Sequence, residues 1–182
     1  MYALDLSLFY IIYGFAGHTA WLDWLIILIG QYLLYPLLAV VLYFAYREWR
    51  RGRFEKVWGY VVAVLGALIA RFGVAELIRL LYHHPRPFVT LHISHLLTDY
   101  AYSFPSGHTI FIFALGAGIY RLNKKLAWST YACGLLIGLA RVAGGVHYPS
   151  DIVGGIVLGI ATSYAVLTLW KAFSRIIALP LI

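Results

Sequence analysis

Phe104-Pro105-Ser106-Gly107-His108-Thr109 is a polar hexad set against the front of an apolar run, and the rest of the chain can be read outward from it. Pro105 has no N–H to donate and Ser106 is a good N-cap, so a helix should open here with free backbone N–H groups. A helix start of this kind attracts anions. Gly107 lets one approach the backbone closely, and His108 adds an imidazole in the first turn, where the helix dipole favours phosphate. A plainer reading is a turn that opens a membrane helix, with His108 at the headgroup level.

The membrane reading comes from composition. Of 182 residues 63% are hydrophobic and only 12% charged, with a mean hydropathy of +0.83, which excludes an ordinary soluble domain. No linker, low-complexity tract or repeat divides the chain, so residues 1–182 read as one membrane-embedded domain. Cys133 is the only cysteine, which rules out an intrachain disulfide. The net charge of +7 reports topology in such a chain, not nucleic-acid binding.

The expected fold is all-α and integral to the membrane: a bundle of five transmembrane helices, at about 25–46, 57–82, 106–121, 126–143 and 150–169. Ser150 is the expected N-cap of the fifth. Residues 3–16 are too short to span and lack the basic start of a signal peptide. They read as an interfacial helix with Phe9, Tyr10 and Tyr13 at headgroup level. The proline-punctuated, histidine-rich stretch 83–104 reads as an external loop carrying a short helical segment. With five spans, three basic clusters fall on one side: Arg47 to Lys56, Arg121 to Lys125, and Lys171 with Arg175. The positive-inside rule makes that side, and the C-terminus, cytoplasmic. The hexad then faces the periplasmic or extracellular side of the inner (plasma) membrane.

The same topology brings charged segments together. Arg79 and Arg86 arrive at the hexad's face from span two and the loop beyond it, and Arg141 returns to that depth at the end of span four. Arg71, Glu76, Arg79 and Arg141 facing lipid would together cost on the order of 10 kcal/mol, so they should point inward. Arg71 and Glu76 are expected to form a structural pair, and a structural role for Arg79 and Arg141, with Glu76 as a partner, is the alternative to a binding role. Three arginines, a helix start and two histidines in one pocket suit phosphoryl transfer. Guanidinium forks grip phosphate oxygens, one histidine can attack phosphorus, and the other can protonate the departing oxygen. Asp151, four residues after His147, is placed to take the other ring N–H. This chemistry calls for no metal and no cofactor. His83, His84, His92 and His95 offer a zinc site on paper, but with only Asp99 nearby as an acidic ligand, headgroup-level histidines are the better reading.

Arg79-(six residues)-Arg86-Pro87, Pro105-Ser106-Gly107-His108 and Arg141-(five residues)-His147-(three residues)-Asp151 resemble, in order and spacing, the three-part signature of the phosphatidic acid phosphatase type 2 family. The resemblance covers the chain from span two to span five. It departs at Arg79, where the family usually has Lys, and at Ala140, where it usually has Ser. It implies that His147 is a nucleophile forming a phosphohistidine, that Asp151 orients it, and that His108 is the general acid. Arg79, Arg86, Arg141, Ser106 and the Gly107 amide would hold the phosphate. Within the family the chain is most similar to the bacterial undecaprenyl diphosphate phosphatase subgroup, which often has Asp where this chain has Gly107. The implied partners are a lipid phosphate or diphosphate and the bilayer. The implied reaction is removal of the terminal phosphate of undecaprenyl diphosphate. Phosphatidic acid and phosphatidylglycerol phosphate are the alternative substrates. The same motifs resemble vanadium haloperoxidases, which are soluble, whereas this chain is not. A non-catalytic scaffold or transporter would explain the spans but not the convergence of histidines and arginines, and no inverted repeat is visible.

Overall fold

The computed structural model describes residues 2–176, and among them every regular element is helical. In chain order these are α1 (Tyr2–Tyr13), α2 (Ala20–Tyr32), α3 (Leu34–Arg50), α4 (Phe54–Leu81), α5 (Pro87–Thr90), α6 (Gly107–Ile119), α7 (Lys124–Ala143) and α8 (Pro149–Ile176). The expected end of the chain on the cytoplasmic side, residues 177–182, lies outside the described residues.

Helix α6 is the axis of the bundle. It is apolar all round, and every residue of it except His108 is buried, packed by α8, α4 and α7. Close approach is made possible by glycines at four-residue spacing. Gly155 and Gly159 of α8 lie against Ser106, Ile110 and Ala114, while Gly134 and Gly138 of α7 lie against Phe113, Ile112 and Ile152. A Cβ at Gly118 would stand 2.8 Å from the Ala63 backbone of α4.

Among the described residues three helices are long and apolar enough to cross a membrane: α4, α7 and α8 through Ser174. A fourth crossing exists if α2 and α3, bent by 43°, count as one. Helix α6 has 13 residues, or about 20 Å at about 1.5 Å per residue, less than the roughly 30 Å of a hydrocarbon core. Its neighbours, rather than lipid, enclose it. The outer faces of α4, α7 and α8 expose Leu65, Ile69, Phe72, Leu135, Leu136, Leu139, Val153 and Val157, the belt expected of a membrane protein.

The first expected span, 25–46, is in fact a broken helix beginning at Ala20. Residues Leu28–Tyr32 form a π-turn, with Leu33 N–H donating to Leu28 O at 3.1 Å, and Pro36 lacks the N–H that would continue the ladder. The break turns Gly30 O toward α7, where Arg141 Nη1 donates to it at 3.2 Å. Asn123 caps α7 by accepting from Leu126 N–H at 3.1 Å. Ser150 does not cap the last helix, which already starts at Pro149. Instead Asp5 of α1 accepts from Ser150 N–H at 2.9 Å and from Ser150 Oγ at 2.6 Å. Helix α1 is therefore packed onto the bundle. Phe9 is fully buried against Tyr13 and Tyr148, while Tyr10 is half exposed.

Candidate active site

The three motif segments are stitched to one another by arginine-to-carbonyl hydrogen bonds. Arg79, near the end of α4, donates from Nη2 to Pro105 O at 2.9 Å and from Nη1 to Glu76 at 2.8 Å. Arg86 precedes α5 and donates to Ala101 O (2.5 Å), Tyr102 O (3.3 Å) and Val146 O (2.8 Å). The backbone N–H of Ser106 donates to Asp151 O at 3.2 Å, joining the start of α6 to the start of α8. Ser106 occupies the N-cap position, but its side chain accepts no hydrogen bond from the helix backbone. Its Oγ accepts from Thr109 Oγ1 at 3.1 Å, so the first-turn amides are left to other acceptors.

His147 is fully buried in the turn between α7 and α8. Its Nδ1 lies 3.3 Å from Asp151 Oδ2, which also accepts from Tyr148 N–H (2.8 Å) and Ser103 Oγ (2.5 Å). With that acceptor beside it Nδ1 carries the proton, and Nε2 keeps its lone pair, 3.4 Å from Arg86 Nη1. Burial pushes the imidazole down to about 4 and the charges of Arg141 and Arg86 push the same way, while Asp151 pulls it back up. His147 is thus neutral at ordinary pH. His84 Nδ1 lies 3.4 Å from the other oxygen of Asp151, without hydrogen-bond geometry, and that carboxylate raises its pKa against the effect of burial.

Asp99 completes the arrangement. Its Oδ1 pairs with Arg86 Nη2 at 2.8 Å and its Oδ2 with Arg141 Nη2 at 2.6 Å, so one carboxylate bridges two almost fully buried guanidinium groups. Burial opposes ionisation of Asp99, but Arg86 and Arg141 outweigh it and hold the carboxyl below its usual range. The Nε atoms of Arg79 and Arg141 are buried donors without a hydrogen-bond acceptor.

A cavity of about 650 Å³ opens beside this cluster, with Arg79, Arg86 and Asp99 among its polar lining and Leu80, Phe88, Val89, Tyr100 and Tyr102 on its walls. His147 and Arg141 do not line it; they lie behind Arg86 and Asp99. Among the described residues His108 has no side-chain hydrogen-bond partner, and it sits within electrostatic reach of Arg141, His147 and Asp99. Arg79, Arg86, Ser106, Gly107, His108, Arg141, His147 and Asp151 therefore gather at one end of the bundle. Two partners in this cluster, Asp99 and Ser103, are missed by sequence reasoning. Ser103 carries no spacing signal, and Asp99 is weighed only as a metal ligand. Among the described residues no group of three or more His, Cys, Asp or Glu is placed to hold a metal.

The profile of the PAP2 superfamily matches residues 56–175. The chain belongs to that superfamily. Undecaprenyl-diphosphatase BcrC of Bacillus subtilis (strain 168) is 29% identical over 163 residues, which cover 88% of this chain and 81% of that one. The crystal structure of Aquifex aeolicus LpxE superposes with a TM-score of 0.69 at 26% identity, over 91% of this chain and 95% of that one. A transmembrane PAP2-type phosphatidylglycerolphosphate phosphatase from Bacillus subtilis shares the fold, with a TM-score of 0.64 at 19% identity over 93% of this chain and 88% of that one. The chain is accordingly an enzyme of the PAP2 type, a membrane-embedded hydrolase of lipid phosphates. Within PAP2, Arg79 stands where the chain's resemblance leads one to expect Lys, and its fork uses both terminal nitrogens, on Glu76 and Pro105, a pairing an ammonium would not reproduce.

Proposed function

We propose that this enzyme removes the terminal phosphate of a polyprenyl diphosphate, converting undecaprenyl diphosphate to undecaprenyl phosphate through a phosphohistidine. His147 Nε2 attacks the terminal phosphorus while Asp151 holds Nδ1–H and balances the positive charge that grows on the ring. Arg79, Arg86 and Arg141, with Ser106 and the Gly107 amide, hold the phosphate oxygens and stabilise their developing charge. As the bridging P–O bond breaks, its electron pair stays on the leaving oxygen, which takes a proton from His108. Water then attacks the phosphohistidine, giving a proton back to His108 and releasing inorganic phosphate.

The observation that carries this reading is the buried His147–Asp151 pair, with the free ring nitrogen beside Arg86 and with Arg141 joined to Arg86 through Asp99. The substrate assignment rests on the relative named undecaprenyl-diphosphatase, aligned over most of both chains. The reading includes a single phosphatase domain with five crossings of the plasma (inner) membrane and the site on its outer side. In its support, Arg47 of α3 and Asn123 and Lys125 at the start of α7 line one shared cavity, so two of the basic turns meet at one end.

The test is a substrate panel on purified protein in detergent: undecaprenyl and farnesyl diphosphate, phosphatidic acid and phosphatidylglycerol phosphate, with phosphate release measured for each. The prenyl diphosphates should be turned over fastest, at a rate EDTA leaves unchanged, since guanidinium groups supply the charge stabilisation. Faster release from the glycerolipids would overturn the substrate, and loss of activity in EDTA would overturn the mechanism.

A pH profile follows from the buried nucleophile. Only neutral imidazole attacks phosphorus, and the lowered pKa keeps His147 neutral above about 4. The acid limb of kcat/KM should therefore fall near pH 4 instead of near the ordinary histidine value of about 6.5. An acid limb near pH 6.5 in the wild-type protein would contradict this.

A further inference from the structure

Arg71 is the one arginine at this end of the bundle that the catalytic scheme leaves without a task. It sits in the interior of α4, where an arginine costs about 2.5–3.5 kcal/mol, and an ionisable group at such a position usually serves function. Local structure aims it. Residues Ile69–Val74 form a π-turn, whose i→i+5 bonding brings residues five apart onto one face, and Arg71 Nη1 pairs with Glu76 Oε1, five residues on. In a regular α-helix those two side chains would diverge. Glu76 Oε1 also accepts from Arg79, so one carboxylate is shared between two guanidinium groups.

On its other side Arg71 lies against the start of α6. A Cβ built on Gly107 would stand 2.6 Å from Arg71 Nε and 3.0 Å from Cζ, so the missing side chain at 107 is the space the guanidinium occupies. Arg71 is thereby next to His108, and its charge acts on His108. At this end of the bundle four guanidinium groups (Arg71, Arg79, Arg86, Arg141) stand with three carboxylates (Glu76, Asp99, Asp151), leaving one positive charge for a ligand to balance.

We infer that Arg71, standing against Gly107 beside His108 and sharing Glu76 with Arg79, binds the second, non-transferred phosphate of a diphosphate substrate and sets the preference for diphosphates over monophosphates. The inference rests on the proposed phosphoryl transfer to His147. There, Arg86 and Arg141 hold the transferred group, and the leaving oxygen departs on the side of His108, where Arg71 stands. When a diphosphate is cleaved, the leaving group is a phosphomonoester that carries negative charge through the bond-breaking step. When a monophosphate is cleaved, it is an alcohol with no charge for Arg71 to meet. A guanidinium at this place therefore lowers the barrier for the first reaction and does little for the second.

The test compares farnesyl diphosphate with farnesyl monophosphate on the intact protein in detergent. Within one preparation the ratio of the two kcat/KM values does not depend on the folded fraction. Arg71→Gln should lower the diphosphate-to-monophosphate ratio about tenfold or more, the scale of one charge-assisted hydrogen bond, and Arg71→Lys should restore part of it. An unchanged ratio, or parallel loss of both activities in Arg71→Gln and Arg71→Lys, would overturn the role of Arg71. Failure of the wild-type protein to hydrolyse farnesyl diphosphate would instead remove the proposed function on which it stands.

Discussion

His147→Ala should reduce phosphate release from a prenyl diphosphate by about 10⁵-fold, the scale seen when a covalent nucleophile is deleted. The geometry leaves no substitute. Ser103 Oγ is committed to Asp151, and Ser106 Oγ accepts from Thr109 deep in the helix junction. The fold should persist, because Asp151 retains Tyr148 N–H and Ser103 as donors when the imidazole is gone. Rapid quench with a substrate labelled in its terminal phosphate distinguishes chemistry from misfolding. Wild-type protein should show an acid-labile phosphoenzyme, and the variant none, with an unchanged helical signal in circular dichroism. Substantial turnover by a folded His147→Ala protein would end the phosphohistidine mechanism.

Asp151→Asn should lower kcat by about 10³–10⁴-fold with little change in KM, by the logic that makes the carboxylate of a hydrolytic triad indispensable. Asp151 Oδ2 accepts from the Tyr148 amide and lies beside Nδ1, so only an acceptor at that point stabilises the Nδ1–H tautomer. The Asn oxygen can satisfy Tyr148 and Ser103, but its amide group presents hydrogens where the second carboxylate oxygen stood, close to His84. It also carries no charge to offset the imidazolium formed on attack. Binding groups are untouched, since Arg86, Arg141 and Asp99 make no side-chain bond to Asp151. Phosphoenzyme formation should slow while the amplitude of phosphate binding, read by vanadate inhibition, stays. A variant that loses vanadate binding along with rate would show Asp151 to be structural.

What could be read from the chain beforehand depended on whether the signal was local. Apolar runs bounded by Asn123, the basic turns and the Pro-Ser-Gly-His start marked most helix limits, and charged residues inside apolar helices marked the cluster, since lipid would not tolerate them. The break between α2 and α3 was not legible, because a π-turn leaves no residue pattern and Pro36 alone is compatible with the first turn of a new helix. The shortness of α6 was hidden for a different reason: a helix enclosed by protein and one enclosed by lipid have the same composition. Local sequence makes Ser150 a cap, whereas its partner is Asp5, brought from the other end of the chain. The structural pairing of Arg71 with Glu76 follows from the chain and is present, whereas the contact of Arg71 with Gly107 has no spacing signal. Asp99 belongs to a loop, where no periodicity says which way a side chain turns.

Asp99 gives the site a resting counter-ion. Two guanidinium groups this close would repel if bare, and a tethered carboxylate holds both at no loss of mobile-ion entropy. On the proposed mechanism an arriving phosphate has to compete with Asp99 for donors that are already engaged. On that mechanism a carboxylate tethered beside the donors weakens the hold on substrate and on product phosphate alike.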